Sequence, residues 1–556
     1  MELHHRHPVA WEHILAVISG EQVTLASDSA EMLLQRRKQI VDAVSGSPRP
    51  AYGFNRGFGH RVDTAVPLKE LATLQRNLIR SHACGSGPSA PREVVRAAML
   101  LRAVSLSLGH SGVRPIVIEQ LCHFLNNDIT PEVPCYGSVG ASGDLAPLSH
   151  IALALMGEGR VVFRGQSRET STVLNELGIA PLSLEMKEGL ALNNGVQFST
   201  ALGIVALDEL WALLKTAVLA SALGVQLLLG SDTPFDPELQ ALRPHPGALE
   251  VARWLRALCA DSPIIAAHRS PEVDGEVQDP YSLRCTPQVL GTVHDLFSEA
   301  QATFILEANA ATDNPLLLTE DGKFTRIVSG GHFHGMPIAV KIYNLVQGMA
   351  IMARLSNMRC VRYVDGSRNR GLGDDLIWPL LDPIAASTSS GYMVAEYLSA
   401  SLLNTIWGAA MPSHLFSVST DAGQEDMVSM SATLGVRVLE TIPRLAELLA
   451  VELAFAAQAS SIRSLLPSIP SKFKPAGLSE PPPQRLGRHE AFFSAAVTYP
   501  LSDAERKLSP RCEQVLMSVR KSGCCVQSDK CLTPALAEIS ALVRSRTLLS
   551  TAGSFW

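Results

Sequence analysis

Ala141-Ser142-Gly143 could do chemistry that no single side chain can. Glycine has no Cβ, so nothing on Gly143 hinders its nitrogen from reaching the Ala141 carbonyl carbon. Attack there and loss of two waters close a five-membered ring and turn Ser142 into an exocyclic methylene. The product is 4-methylidene-imidazol-5-one, an electrophile formed autocatalytically from Ala141-Ser142-Gly143 that needs no dissociable cofactor. The same residues also read as a glycine-flanked tight turn. In that reading Asp144 caps a helix that carries Pro147 in its first turn and Leu148, Ile151, Ala152 and Leu155 on its apolar face.

A second group follows in Val277-Gln278-Asp279-Pro280-Tyr281-Ser282-Leu283-Arg284-Cys285. Pro280 keeps this piece out of a continuous α-helix. A 3₁₀-like turn would put Gln278, Tyr281 and Arg284 on one edge. An amide, a phenol and a guanidinium there suit an amino acid, since arginine grips a carboxylate bidentately. Alone, the piece is equally a surface turn. Other polar groups are ambiguous in the same way. His82, after Ser81, reads as a helix-end cap. Asn194 lies in an Asn-Asn-Gly turn, and Glu425-Asp426 reads as an acidic helix start. Tyr52 stands in the glycine-rich loop Ala51-Tyr52-Gly53-Phe54-Asn55-Arg56-Gly57-Phe58-Gly59-His60.

Taken in order, these blocks resemble the aromatic amino acid ammonia-lyases, the histidine and phenylalanine ammonia-lyase family. Gly137-Ser-Val-Gly-Ala-Ser-Gly-Asp-Leu-Ala-Pro-Leu-Ser-His150 is similar to that family's signature, and Gln278-Asp-Pro-Tyr-Ser-Leu-Arg284 to its second motif. Glu188-Gly-Leu-Ala-Leu-Asn-Asn-Gly195, Gly330-Gly-His-Phe-His-Gly335 and Gln424-Glu-Asp-Met-Val-Ser-Met430 resemble further family blocks. The resemblance implies that Ala141, Ser142 and Gly143 form the ring electrophile, with Tyr281 as catalytic base and Tyr52 helping to handle protons. It also implies that Arg284 anchors the α-carboxylate, that Asn194 bonds the ring or the substrate, and that Gln278 lines the site. His82, Phe333 and Glu425 are implied to meet the substrate side chain. Ser81-His82 and Glu425 match the histidine lyases, since a carboxylate pairs well with an N–H donor. Arg56, His332 and Met427 depart from the histidine pattern.

Helices must position these groups. Hydrophobic residues make up 46% and aromatics only 5%, so Ala and Leu carry the packing and long buried helices are expected. Helical patterns run over Leu207 to Gly230, Val289 to Thr312, Met336 to Met358 and Asp426 to Ser460, while residues 8–50 alternate short helical and strand-like pieces. The expected class is mainly α, an ammonia-lyase (fumarase/aspartase-like) long helical bundle with a globular N-terminal domain. Residues 1–205 would form that domain, 206–465 the central bundle, and 466–556 a Pro-rich linker and C-terminal cap.

A net charge of −6 offers no basic face for nucleic acid. Met1 to His7 lacks an apolar core for a signal peptide, and the most apolar run, Thr216 to Gly230, is too short for a bilayer. His4, His5 and His7 read as a solvated tail. The ten scattered cysteines suit reduced thiols in the cytoplasm. No metal is expected, the terminal group Cys512, Cys524, Cys525 and Cys531 having no CxxC pair. The resemblance further implies a homotetramer whose active sites draw residues from three subunits. The expected reaction is ammonia elimination from L-histidine to give trans-urocanate. Two alternatives remain: a lyase or aminomutase acting on tyrosine or phenylalanine, and a non-catalytic assembly that keeps the fold.

Overall fold

The computed structural model describes residues 1–45, 54, 66–269, 278–320, 323–379, 383–471 and 497–556. The chain is mainly helical and divides into two compact units. The first comprises residues 1–207, 299–344 and 412–439; the second comprises 208–298, 345–411 and 440–556.

Four long helices dominate: Gln197–Leu227, Thr286–Ala308, Met336–Val364 and Ser431–Leu465. They match the four expected patterns, with ends shifted by several residues. The 35 residues of Ser431–Leu465 span about 52 Å at 1.5 Å per residue. This helix begins later than the expected Asp426, because Met430, directly before Ser431, adopts left-handed backbone with φ 55° that a helix cannot run through. Met336–Val364 and Ser431–Leu465 are each longer than the Thr216 to Gly230 run, and by length and composition alone both could cross a bilayer. In Ser431–Leu465, however, 89% of the apolar window is buried, as in a core helix.

In the first unit, Arg92–Ser107 is buried without a break from Val94 to Ser107 despite its polar residues. Arg96 explains how. Its guanidinium donates to the carbonyls of Val17 (2.8 Å), Ile18 (3.1 Å) and Leu125 (3.0 Å), at the C-terminal ends of the Trp11–Ile18 and Pro115–Asn126 helices. A cation there satisfies carbonyls that have no helical partner. A three-stranded antiparallel sheet carries Arg160–Phe163 between Thr130–Pro131 and Gln166–Glu169.

The second unit holds a buried ion pair. Glu452 accepts from Arg359 Nε (2.5 Å), Arg359 Nη2 (3.1 Å) and the Ser356 hydroxyl (2.5 Å), so neither charge lacks partners. Ser468–Ser471 pairs antiparallel with Val497–Pro500.

Three further expectations need correction. Residues 8–50 are not an alternation of short pieces, since Ser27–Ser45 is one helix of 19 residues. The linker expected from Leu465 starts with that Ser468–Ser471 strand, its proline tolerated in a two-stranded edge. The histidine tail is not simply solvated: His4 Nε2 lies 2.7 Å from Asp28, His5 Nδ1 lies 2.9 Å from the Ser29 hydroxyl, and His7 stacks on His4 at 4.3 Å.

Candidate active site

The turn at Ala141-Ser142-Gly143 is built from left-handed backbone. Gly140 has φ 68°, Ser142 φ 52° and Gly143 φ 82°. A Cβ at position 143 would lie 2.1 Å from the Gly195 nitrogen, so only glycine fits there. The turn is pinned from outside. The Gly140 carbonyl accepts from the Ser429 hydroxyl (2.8 Å) and the Gly335 nitrogen (2.9 Å), and Met430 N donates to the Val139 carbonyl (2.8 Å). Residues expected from three separate sequence blocks therefore meet on one loop.

Ser142 is held at both ends. Its carbonyl oxygen accepts from the Asn194 amide at 2.6 Å, and its hydroxyl donates to Glu425. Thr420 donates to the other Glu425 oxygen at 2.7 Å and bridges to it through the backbone. Asn194 follows the short Glu188–Asn193 helix, and its own carbonyl is fixed by buried Arg102 at 3.1 Å. Burial lowers that guanidinium to about 10, the Asp313 charge opposing. Asn194 Oδ1 is buried without a partner.

Asp144 corrects the capping expectation. It stands at the N-cap of Leu145–Leu155, but its carboxylate makes no bond to that helix. It accepts instead from the Ser138 hydroxyl (2.7 Å), the Ser199 nitrogen (2.7 Å) and the Ser199 hydroxyl (2.8 Å). Asp144 thus caps the Gln197–Leu227 helix and braces the turn from behind. It is fully buried, and burial raises its carboxyl above the ordinary range although these donors pull the other way.

His82 ends the Leu71–His82 helix, half-buried, with Nδ1 2.9 Å from the Ser81 hydroxyl. Burial lowers its basicity, while the Glu425 charge opposes that shift. Phe333 is half-buried in the loop that binds Gly140 through Gly335, and His334 Nε2 lies 2.9 Å from the Met427 carbonyl. Met427 is 55% exposed. Tyr52 lies outside the described residues.

In the second unit, Gln278, Tyr281 and Arg284 do come together. Tyr281–Arg284 is a single α-turn rather than 3₁₀, entered through Pro280. The Arg284 guanidinium carbon lies 4.9 Å from the Tyr281 ring centroid. Arg284 also donates to Gln278 Oε1 (2.9 Å) and to the Asp279 carbonyl (2.8 Å). Asp279 is anchored by the Ser231 nitrogen (2.6 Å) and by Arg370 (3.0 Å). Tyr281 is 70% exposed, so its phenol faces outward from this chain.

The sequence reading missed Thr420, Ser138, Ser199 and Arg102. Ser199 and Arg102 meet partners 55 and 92 residues away, whereas Thr420 and Ser138 bond carboxylates only five and six residues on, through irregular backbone that no periodicity marks.

A family model described as aromatic amino acid lyase matches residues 9–476. The chain is 43% identical over 460 residues to the histidine ammonia-lyase of Deinococcus radiodurans, covering 82% of this chain and 84% of that protein. Its structure is similar to that of a tyrosine aminomutase from Streptomyces globisporus, with TM-score 0.84 at 28% identity over 99% of this chain and 98% of that one. It is also similar to histidine ammonia-lyase from Trypanosoma cruzi, with TM-score 0.80 at 27% identity over 99% and 94% of the two chains.

Proposed function

The chain belongs to the aromatic amino acid lyase family and is a carbon–nitrogen lyase, and from that premise we propose that it eliminates ammonia from L-histidine to give trans-urocanate. The observation that carries the choice of substrate is the place of Glu425. Its carboxylate stands on Ser142 itself, and its charge acts on His82. An acidic group on the reacting residue, whose charge also reaches an imidazole, suits a side chain that carries an N–H donor. Tyrosine remains the second reading, as lyase or aminomutase substrate, because a phenol also donates and Met427 and His332 depart from the histidine pattern.

Residues 141–143 fit the 4-methylidene-imidazol-5-one group. Gly143 sits where a Cβ would collide with Gly195, the backbone is already bent, and the Ser142 carbonyl has a donor. The chemistry that the group supplies is electrophilic capture of the substrate amine, which turns a poor leaving group into a better one. Asn194 keeps its N–H on the Ser142 carbonyl and draws electron density from that residue. Arg284 holds the α-carboxylate, aimed by Gln278 and the Asp279 carbonyl. Tyr281 Oη takes the β-proton. His82 and Glu425 hold the imidazole, Phe333 packs beside it, and Tyr52 helps to close the site against water.

The enzyme works as a homotetramer in which Tyr281 and Arg284 of one subunit serve a Ser142 turn of another. The high exposure of Tyr281 in the single chain supports this arrangement. A cytoplasmic location is supported by ten cysteines that are all free thiols.

The test is Ser142→Ala. Ammonia release from histidine, the ultraviolet band of the ring and the mass deficit of two waters should vanish together. Ammonia release that survives without the ring sinks the covalent mechanism.

A further inference from the structure

The hydrogen bonds of Ser81 settle which ring nitrogen of His82 carries the hydrogen. The Ser81 hydroxyl donates to the Leu78 carbonyl at 3.0 Å, which commits its only hydrogen. The same oxygen lies 2.9 Å from His82 Nδ1 and has only lone pairs left to offer. Nδ1 must therefore carry the hydrogen of that pair. Burial disfavours a second proton on the ring, although the Leu78 carbonyl and the Glu425 charge oppose it. A neutral imidazole with hydrogen on Nδ1 has a bare lone pair on Nε2.

We propose that Ser81 is a positioning residue that locks His82 in the Nδ1–H tautomer, so that Nε2 presents an acceptor and selects substrates whose side chain carries an N–H or O–H donor. This deepens the reading of His82 as a substrate-binding residue and rests on it. An imidazole N–H or a phenol O–H satisfies Nε2. A benzyl ring leaves it unpaired, and a site built around a hydrogen bond rejects an analogue lacking the donor far more strongly than a merely apolar pocket does.

Nitrogen-15 NMR of the resting full-length enzyme labelled on histidine reads the tautomer directly, with the His82 signal assigned by its loss in His82→Gln. The expected result is hydrogen on Nδ1 in the wild type and a mixture of tautomers in Ser81→Ala. Hydrogen on Nε2 in the wild type overturns the lock, whatever the substrate proves to be. Kinetics give a second readout that needs no His82 variant. Ser81→Ala should raise KM for histidine about three- to tenfold, with kcat and the ring's absorbance nearly unchanged, as expected for one lost orienting hydrogen bond. Ser81→Thr, which keeps the hydroxyl, should restore it. An unchanged KM in Ser81→Ala, or a defect that threonine does not rescue, contradicts the proposal. Failure of the wild type to make urocanate would instead overturn the choice of substrate, and the NMR result would still decide the tautomer.

Discussion

The Asn194 side-chain amide donates to the Ser142 carbonyl oxygen at 2.6 Å, while Arg102 fixes the Asn194 backbone from behind at 3.1 Å. The amide is thus aimed before any substrate arrives. Asn194→Ala should lower kcat by about 10²–10³, the usual loss for one preorganised donor at a centre of developing charge. The ring's ultraviolet band should remain, because Gly143 and the bent backbone stay intact. Full activity in this variant, or loss of the band, would contradict the role assigned to Asn194.

Gly143→Ala should abolish ring formation. The added methyl would lie 2.1 Å from the Gly195 nitrogen at a backbone φ of 82°. Intact-mass measurement should give a protein heavier by two waters than expected for the cyclised variant. A cyclised alanine variant would show that the turn tolerates a side chain and that the fit argued above is wrong.

Glu307 carries a pH prediction. Burial, helped by the Asp144 charge, raises its carboxyl from 4.5 to about 7. The unfolded chain ionises this group at lower pH than the native chain does. Its contribution is therefore unopposed below about 4.5, is lost progressively as pH rises, and is fully lost above about 7. The loss is about 3 kcal/mol at alkaline pH. Glu307→Gln should raise Tm by about 2–3 °C at pH 8 and hardly at all near pH 4.5. A gain that is constant across this range would remove the cause given.

Arg284→Lys should raise KM at least tenfold, because a lysine cannot keep the Gln278 and Asp279 bonds together with its place over the Tyr281 ring while also gripping a carboxylate bidentately. Steady-state kinetics with histidine check this. Near-normal KM would move the carboxylate anchor elsewhere.

Much of the site was legible in the sequence because it is written in short blocks. Gln278, Tyr281 and Arg284 lie within seven residues, so their grouping was visible in the spacing, although the turn that forms is α rather than 3₁₀. The four long helices were visible as apolar runs, and Met336 was placed at its observed start. What stayed hidden depends on contacts distant in sequence or on backbone that no propensity predicts. Asp144 looked like the cap of its own helix, yet its oxygens turn to Ser199, which is 55 residues away. The Thr420 grip on Glu425 needs three successive left-handed residues, which no propensity predicts for Asp421 and Ala422. His4 looked like a tail residue because its partner, Asp28, lies beyond an entire helix.

The most direct test of the central claim is to identify the products by mass spectrometry after separate incubations with L-histidine, L-tyrosine and L-phenylalanine. Histidine should give urocanate and ammonia, and phenylalanine no product, because its ring offers His82 and Glu425 no donor. A hydroxycinnamate or a β-amino acid from tyrosine, with histidine untouched, would contradict it.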